Sequence, residues 1–517
     1  MENGAQRLIN TLANLGVDAC FANPGTSEMQ LVGALDAQPA IRAILCLFEG
    51  VATGAADGYG RMADKPAITL LHLGPGLANG AANLHNARRA QSPIINIVGD
   101  HATYHLELDA PLTSDIAGLA KTVSKTTLTS SDSEDIALTA SAAFASSLDY
   151  PGAVATLILP ADHAWTAVDD APLPATLNAP VPDRVDPATL DQVCAALSGP
   201  GQKALFLGGR ALREDTLHLA GRIAAKTGAR LITETFFTRL QRGAGRVPVE
   251  RLPYFGEQAA EYLAKIDTLI LVGSQYPVSF FAYPDKPSKL PAPDATVLTL
   301  ANSRQDIADA LTQLAALLGA PPEPAQLQPR AQHELVDGPI NQVELGKIIA
   351  NRLPAGAIVS DEGATNSLGA FLMTGCAEPH DWLTLTGGSI GQGLPVAIGA
   401  AVACPEQKVV ALQADGSAMY TLQALWTMAR EQLDITILLL NNRSYGILNI
   451  ELARVGIEHP GPVAKSLLDL SNPDLNFTQL AEGMGVPAEK VTTVAGLDEA
   501  VARAMAHRGP KLIEVML

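Results

Sequence analysis

The chain of 517 residues is 47% apolar and 17% charged, enough apolar material for large buried cores and too little charge for wholesale disorder. Its formal charge of −18 sets the surface against nucleic acid and anionic membranes, though a local pocket can still hold an anion. Cys20, Cys46, Cys194, Cys376 and Cys404 are scattered and show no CxxC spacing, which predicts reduced thiols and a cytoplasmic location rather than a disulfide framework or zinc site.

From the amino end, MENGAQRLINTLANLG reads as an amphipathic helix with an early glutamate, without the basic and apolar regions of a signal peptide. No apolar run reaches the roughly 18 residues of a membrane span. The strand RAILCLF leads to Glu49 and a small-residue helix, GVATGAADGYGRMA. A carboxylate between Phe48 and such a helix has little water around it. Burial there favours its protonated form or a hydrogen bond to something basic; helix capping is the plainer alternative. Next, AITLLHLGPGLANGAANLHNARRA puts His72 and several glycines where a strand gives way to a helix. Gly74-x-Gly76-x-x-x-Gly80, with Asp100 ending the following strand, resembles a dinucleotide fingerprint and its ribose-binding acid. The glycine spacing is one residue too long and Pro75 occupies the phosphate turn, so an NAD- or FAD-binding domain stands as the rival reading. His72 alone could equally be a core histidine.

Further apolar runs, KALFLGG, TLILVG, KVVALQ and ITILLLNN, continue the alternation with helix-length segments. The pattern predicts an α/β chain of three doubly wound domains with mainly parallel sheets. Proline-rich stretches at 160–187 and 319–330 read as linkers, which places the domains at 1–165, 186–318 and 336–517. In the last of them a buried strand runs into Asp415-Gly416-Ser417, a helix-like TLQALWTMAREQ follows, and a second strand ends in Asn441-Asn442. Adjacent parallel strands place their C-terminal ends side by side, so a carboxylate and an amide oxygen converge beside a helix start. Oxygen ligands completed by phosphate suit magnesium, and the N–H groups of Gly416 and Ser417 can meet phosphate oxygens. Each half alone reads as a helix cap or a turn. Together, 27 residues apart, they read as a diphosphate–magnesium site.

These stretches together resemble the thiamine diphosphate (ThDP)-dependent 2-oxo acid decarboxylase and carboligase family, over essentially the whole chain. That family has pyrimidine-binding, central and diphosphate-binding domains in this order. Residues 415–442 are similar to its diphosphate motif, with Ala414 in place of the first glycine of a GDG start; that methyl matters only if the position needs φ > 0 or lies against the phosphate. The resemblance implies Asp415, Asn442 and the Ser444 carbonyl as Mg²⁺ ligands, with Gly416, Ser417, Tyr445 and Gly446 beside the cofactor. It also implies Glu49 as the glutamate that activates the cofactor through its pyrimidine ring. In TGGSIGQGLP (386–395), Gly388 would accept from the exocyclic amine and Ile390 would bend the cofactor. FANPGTSE (21–28), with Thr26, and HLGPG, with His72, resemble the active-site loops of benzoylformate decarboxylase, implying that Thr26 and His72 bind the substrate carboxylate or relay protons.

LFEGVATGAADGYGRMADKP and HLGPGLANGAANLHNARRAQSP look closest to acetolactate synthase large subunits. The chain ends at KLIEVML, without the arm that closes acetolactate synthase sites, and PYFGEQAAEY (253–262) matches that enzyme's FAD-binding loops poorly. FAD is therefore possible but unsupported. The second active-site histidine of benzoylformate decarboxylase is replaced near Phe280. The activity implied is decarboxylation of a 2-oxo acid such as pyruvate, with ligation of the activated aldehyde to a second carbonyl. The alternatives are a non-oxidative decarboxylase of the benzoylformate type, a flavin or nicotinamide oxidoreductase, and a catalytically inactive ThDP-binding protein. In this family a site is completed across two subunits, which implies a homodimer or homotetramer with no nucleic-acid or membrane partner.

Overall fold

The computed structural model describes residues 2–169, 173 and 180–517, and in it the apolar runs form three sheets. In spatial order the first holds Arg42–Leu45, Ala19–Asn23, Ala67–Leu71, Ile94–Asp100, Val154–Pro160 and Thr126–Thr129, every neighbouring pair parallel. The second holds Glu250–Arg251, Arg230–Thr233, Lys203–Leu207, Thr268–Val272 and Thr296–Ala301, again all parallel. The third runs Ala488–Val491, Lys511–Met516, Ile435–Asn441, Val409–Ala414, Ile358–Glu362, His380–Thr384 and Leu240–Arg242. Central strands such as Ala67–Leu71, Val409–Ala414 and Ile435–Asn441 are buried from end to end, because helices cover both faces. The fold is the three-part doubly wound arrangement that the alternation predicts.

One strand departs from that separation. Leu240–Arg242 lies in the middle third of the chain yet pairs antiparallel with His380–Thr384 at the edge of the third sheet. The Arg242 guanidinium sits 3.9 Å over the Phe371 ring and donates to Thr374 Oγ1 at 2.8 Å, which fastens the strand there. A three-residue strand is too short to leave a periodic signal in the sequence. The stretch 319–330 carries no helix or strand, whereas within 160–187 a short helix, Ala161–Trp165, continues the first unit. Residues 170–172 and 174–179 of that stretch lie outside the described residues.

The first and third sheets meet through two helices of small residues, Glu49–Ala63 and Gly393–Ala403. A methyl built on Gly399 would lie 1.8 Å from the Ala55 carbonyl oxygen, and one on Gly58 would lie 2.1 Å from that of Val396. At the same seam Asp57 accepts from Arg61 at 2.8 and 2.6 Å and from Gln392 at 2.8 Å. Arg61 in turn donates to the Thr384 carbonyl at 2.8 Å, so a buried ion pair has its remaining hydrogen-bonding capacity met across the seam. Among the described residues no helix is long and apolar enough to cross a membrane. Gly399→Ala should lower stability by about 1–3 kcal/mol, the usual cost of overpacking. Thermal or denaturant melts would show this as a lower midpoint, and an unchanged midpoint would mean that the two helices can move apart freely.

Candidate active site

In open parallel sheets, crevices form where the strand order reverses, because the loops leaving the C-terminal ends diverge there. The first sheet reverses between Ala19–Asn23 and Ala67–Leu71, and the third between Ile358–Glu362 and Val409–Ala414. The residues singled out in the sequence gather at these two points.

At the first, Thr26 opens the short turn Thr26–Glu28 and is exposed, while His72 caps the helix Leu73–Ala90. His72 Nδ1 lies 2.8 Å from Glu28 Oε2 and 3.2 Å from Ser27 Oγ. Glu28 is wholly buried and also accepts from the Gly25 N–H at 2.8 Å and the Ser27 hydroxyl at 2.7 Å. A carboxylate so placed accepts a hydrogen bond from Nδ1–H, which favours that imidazole tautomer and leaves Nε2 for other chemistry. The chain enters the helix through Leu73 at φ 49°, a left-handed conformation that costs a branched side chain strain and is consistent with a functional turn.

Glu49 is the first residue of its helix and is 8% exposed. Its Oε2 accepts from Asn79 Nδ2 at 3.0 Å, so its partner is an amide rather than the basic group expected. A methyl on Gly76 would come 3.2 Å from Oε1, and one on Gly80 would come 2.7 Å from Thr53. Gly74, Gly76 and Gly80 therefore lie within the helix and serve close packing, Gly76 and Gly80 against Glu49–Ala63 and Gly74 against Ser114. They do not form a phosphate turn, which removes the structural basis of the dinucleotide reading.

At the second crevice Asp415 is 2% exposed. Its Oδ1 accepts from the Gly416 N–H at 2.9 Å, whereas its Oδ2 is buried with no hydrogen-bond partner among the described residues. Burial pushes the carboxyl upward, and the Gly416 N–H opposes that shift. The Gly416 amide thus serves the carboxylate instead of standing free. Tyr445 covers Gly416 so closely that a methyl there would lie 2.5 Å from the ring. The two asparagines divide their labour. Asn441 is buried and tied to Glu514 at 2.8 Å, while Asn442 Oδ1 accepts from the Ser444 N–H at 3.0 Å and keeps a lone pair to spare. A methyl built on Gly446 would lie 3.1 Å from Asn442 Nδ2. Among the described residues no group of three His, Cys, Asp or Glu could hold a metal. A cation at Asp415 would rest on one carboxylate, one side-chain amide and a backbone carbonyl, a donor set that suits a hard ion with phosphate completing its shell. The orphaned Oδ2 fits that role.

The extent of the helix here differs from expectation, and the backbone condition on Ala414 is answered. The helix at Asp415 is a single turn, Asp415–Ala418, and the longer helix resumes only at Ala424–Arg430. Between them Thr421 leaves the helical path and donates to the Gly391 carbonyl at 2.9 Å. Ala414 has φ −74°, ordinary extended backbone that any residue adopts, so its methyl strains nothing there.

The loop 386–393 is held from two sides. Asn86 pairs with Ser389 through both of its amide atoms (2.7 and 3.2 Å), and Asn83 Nδ2 bridges the carbonyls of Gly50 and Gly391 (2.8 and 3.1 Å). From below, Glu362 accepts from the amides of Gly391, at 2.6 Å, and Gly393, at 2.7 Å, and from Gln413 Nε2 at 2.9 Å. Ile390 is thus held between two pinned neighbours, and Gly388 adopts φ +74°, which glycine alone takes without strain. Gln413 also donates to Ser417 Oγ at 2.6 Å, joining this loop to the Asp415 turn.

Glu28, Glu362, Asn79 and Asn83 are the functional candidates that sequence reasoning missed. Glu362 had a signal. The strings SDEG and QADG share one pattern, a buried strand running into an acid and a glycine, and LFEG repeats the acid and glycine after an edge strand. Glu28 had none, since GTSE reads as a surface cap.

Two family profiles match the chain: "Thiamine pyrophosphate enzyme, N-terminal TPP binding domain" over residues 2–119 and "Thiamine pyrophosphate enzyme, C-terminal TPP binding domain" over residues 363–515. A Mycobacterium tuberculosis protein named as a candidate acetolactate synthase large subunit, IlvX, is 50% identical, with 100% of this chain and 99% of that protein aligned. Benzoylformate decarboxylase of Pseudomonas aeruginosa is 26% identical over 97% of this chain and 96% of its own. Among solved structures, a thiamine diphosphate-dependent 4-hydroxybenzoylformate decarboxylase of Rhodococcus jostii RHA1 superposes with a TM-score of 0.86. At 22% identity it covers 100% of this chain and 99% of that one, a likeness of fold.

On the cation reading of this turn, Asp415→Asn should abolish magnesium-dependent diphosphate binding measured by calorimetry, since an amide cannot supply the charge that the buried Oδ2 offers. Ala414→Gly should change that affinity by no more than about fivefold, the ~0.5–1 kcal/mol of backbone freedom that glycine brings.

Proposed function

Because the chain belongs to the thiamine pyrophosphate enzyme family, we propose that it is a ThDP- and Mg²⁺-dependent enzyme acting on 2-oxo acids. The first reading is acetolactate synthase-like: decarboxylation of pyruvate or a similar acid and ligation of the activated aldehyde to a second carbonyl. The observation that carries the cofactor assignment is the buried, unpartnered Oδ2 of Asp415 beside Asn442 at a reversal of strand order.

Asp415, Asn442 and the Ser444 carbonyl would hold the cation, with Gly416, Ser417, Tyr445 and Gly446 around the diphosphate. Gly388 and Ile390 would meet the ring end. The cofactor supplies an electron sink for the carbanion left by loss of CO₂, which no side chain offers. Asn79 occupies Glu49 Oε2, so the proton exchange assigned to Glu49 falls to Oε1. Glu28 holds His72 Nδ1, so Nε2 is the nitrogen that binds the substrate carboxylate or passes a proton, with Thr26 exposed in the turn that carries Glu28.

Domains at 1–165, 186–318 and 336–517, assembly as a homodimer or homotetramer with sites shared between subunits, and a cytoplasmic location complete the proposal. Benzoylformate-type decarboxylation is the second reading. It is favoured by the aromatic cluster of Phe236, Tyr254, Phe280 and Phe281 next to Gly388, which suits a larger apolar substrate. A catalytically inactive binding protein is disfavoured by the ordinary backbone of Ala414 and by the intact Glu49, His72, Asp415 and Asn442 set.

The deciding experiment reconstitutes the protein with ThDP and Mg²⁺ and supplies a panel of 2-oxo acids, measuring both CO₂ and carbon–carbon-bonded product. Release of CO₂ without such product selects the second reading. Glu49→Gln should bind ThDP and Mg²⁺ about as tightly as the parent yet lose on the order of 10²–10⁴ in turnover, the usual worth of one acid–base group. Undiminished turnover in that variant would remove Glu49 from the mechanism.

A further inference from the structure

Helix Gly446–Arg454 starts two residues after Ser444 and has no buried residue. So exposed a helix gains little from packing, and its place depends on a few anchors. In its last turn Glu451 accepts the Tyr283 hydroxyl. Arg454 donates to Glu257 at 2.9 Å, and its Nε lies 3.3 Å from Glu451. The same guanidinium stands 4.3 Å over the Phe255 ring and 5.1 Å over that of Tyr283. Tyr283, Phe255 and Glu257 all come from the middle part of the chain. From them a line of rings runs on: Phe255 to Tyr254 at 5.2 Å, then Tyr254 to Phe280 at 5.6 Å. Phe280 ends the line against Gly388, where a built methyl would lie 2.5 Å from its Cζ. The segment bearing Phe280 and Tyr283 is closed on itself by the Ser279 N–H, which donates to the Ser288 carbonyl at 2.9 Å.

We infer that Tyr283, Glu257 and Arg454 form a latch through which the middle unit positions both ends of the site. One arm fixes the helix that follows Asn442 and Ser444; the other sets Phe280 against the Gly388 loop. The three are positioning residues, since none touches the groups assigned to the cation. The inference rests on the reading of Asn442 and Ser444 as Mg²⁺ ligands. By linkage, whatever holds this helix also lowers the cost of assembling the cation's shell, and cation binding should steady the helix in return.

Tyr283→Phe removes the hydroxyl and keeps the ring, and Glu257→Gln removes the charge and keeps the shape. In the double variant, ligand-free hydrogen exchange of residues 446–454 should quicken about fivefold, as for the net loss of one or two hydrogen bonds. The Mg²⁺ concentration that half-saturates ThDP binding, read by calorimetry, should rise by a similar factor while Tm stays within about 2 °C. Arg454→Lys, which keeps the charge but loses the stacked fork, should move both readouts the same way. Unchanged exchange would overturn the latch. Faster exchange with an unchanged Mg²⁺ requirement would overturn its positioning role. Should the double variant melt early, Tyr283→Phe alone decides by the same two measurements. A parent protein that binds no ThDP with Mg²⁺ would overturn the functional reading instead, and the ligand-free exchange comparison would still decide the latch.

Discussion

A carboxylate buried at the tip of an apolar strand has to find a counterpart, because an uncompensated charge out of water is among the costliest features a fold can carry. This chain buries acids at strand tips, Glu362 and Asp415, and a few residues beyond strand ends, Glu28 and Glu49, and resolves each differently. Glu28 is answered by an imidazole and two N–H or O–H donors, and Glu362 by backbone amides and Gln413. Glu49 receives one amide from Asn79, and Asp415 retains an oxygen with no donor. Glu28 and Glu362 hold other groups in place, whereas Glu49 and Asp415 keep an oxygen for an external partner. Glu514 Oε2 is likewise buried with no donor among the described residues, so position at the crevice, and not the open oxygen alone, assigns that role.

The small-residue seam between Glu49–Ala63 and Gly393–Ala403 makes that division of roles possible. Backbones at van der Waals distance leave no slack, so the first turn of one helix and the loop preceding the other are set by the same contact. Asn83, bonded to carbonyls on both, is the hydrogen-bonded counterpart of that packing. Asp57 and Arg61 extend it to the strand His380–Thr384, so the geometry of the candidate site follows from helix packing more than from the loops themselves.

Much of this was legible in the sequence because it rests on period and punctuation. Strands buried on both faces appear as continuous apolar runs, and Asp415 with Asn442 could be paired because one strand–helix–strand unit separates them. What the sequence concealed depends on contacts between distant segments. Glu28 is a catalytic-site candidate only because Ala67–Leu71 brings His72 beside it, and GTSE has no local mark of burial. The glycines of 74–80 resembled a phosphate loop because a glycine needed for helix packing and one needed for a turn look the same in one dimension. The break before Ala424 escaped notice because Thr421 departs from the helix for a carbonyl far away in the chain.

The three-residue strand Leu240–Arg242 has a consequence for the modularity of the chain. Without it, His380–Thr384 would present an open row of N–H and C=O groups, a template for pairing with any other strand. The middle unit therefore shields the rim of the third sheet. It could not be excised, exchanged for a foreign module or lost in evolution without leaving its neighbour adhesive. The short strand thus belongs to the middle unit by its place in the chain and to the third sheet by its hydrogen bonds.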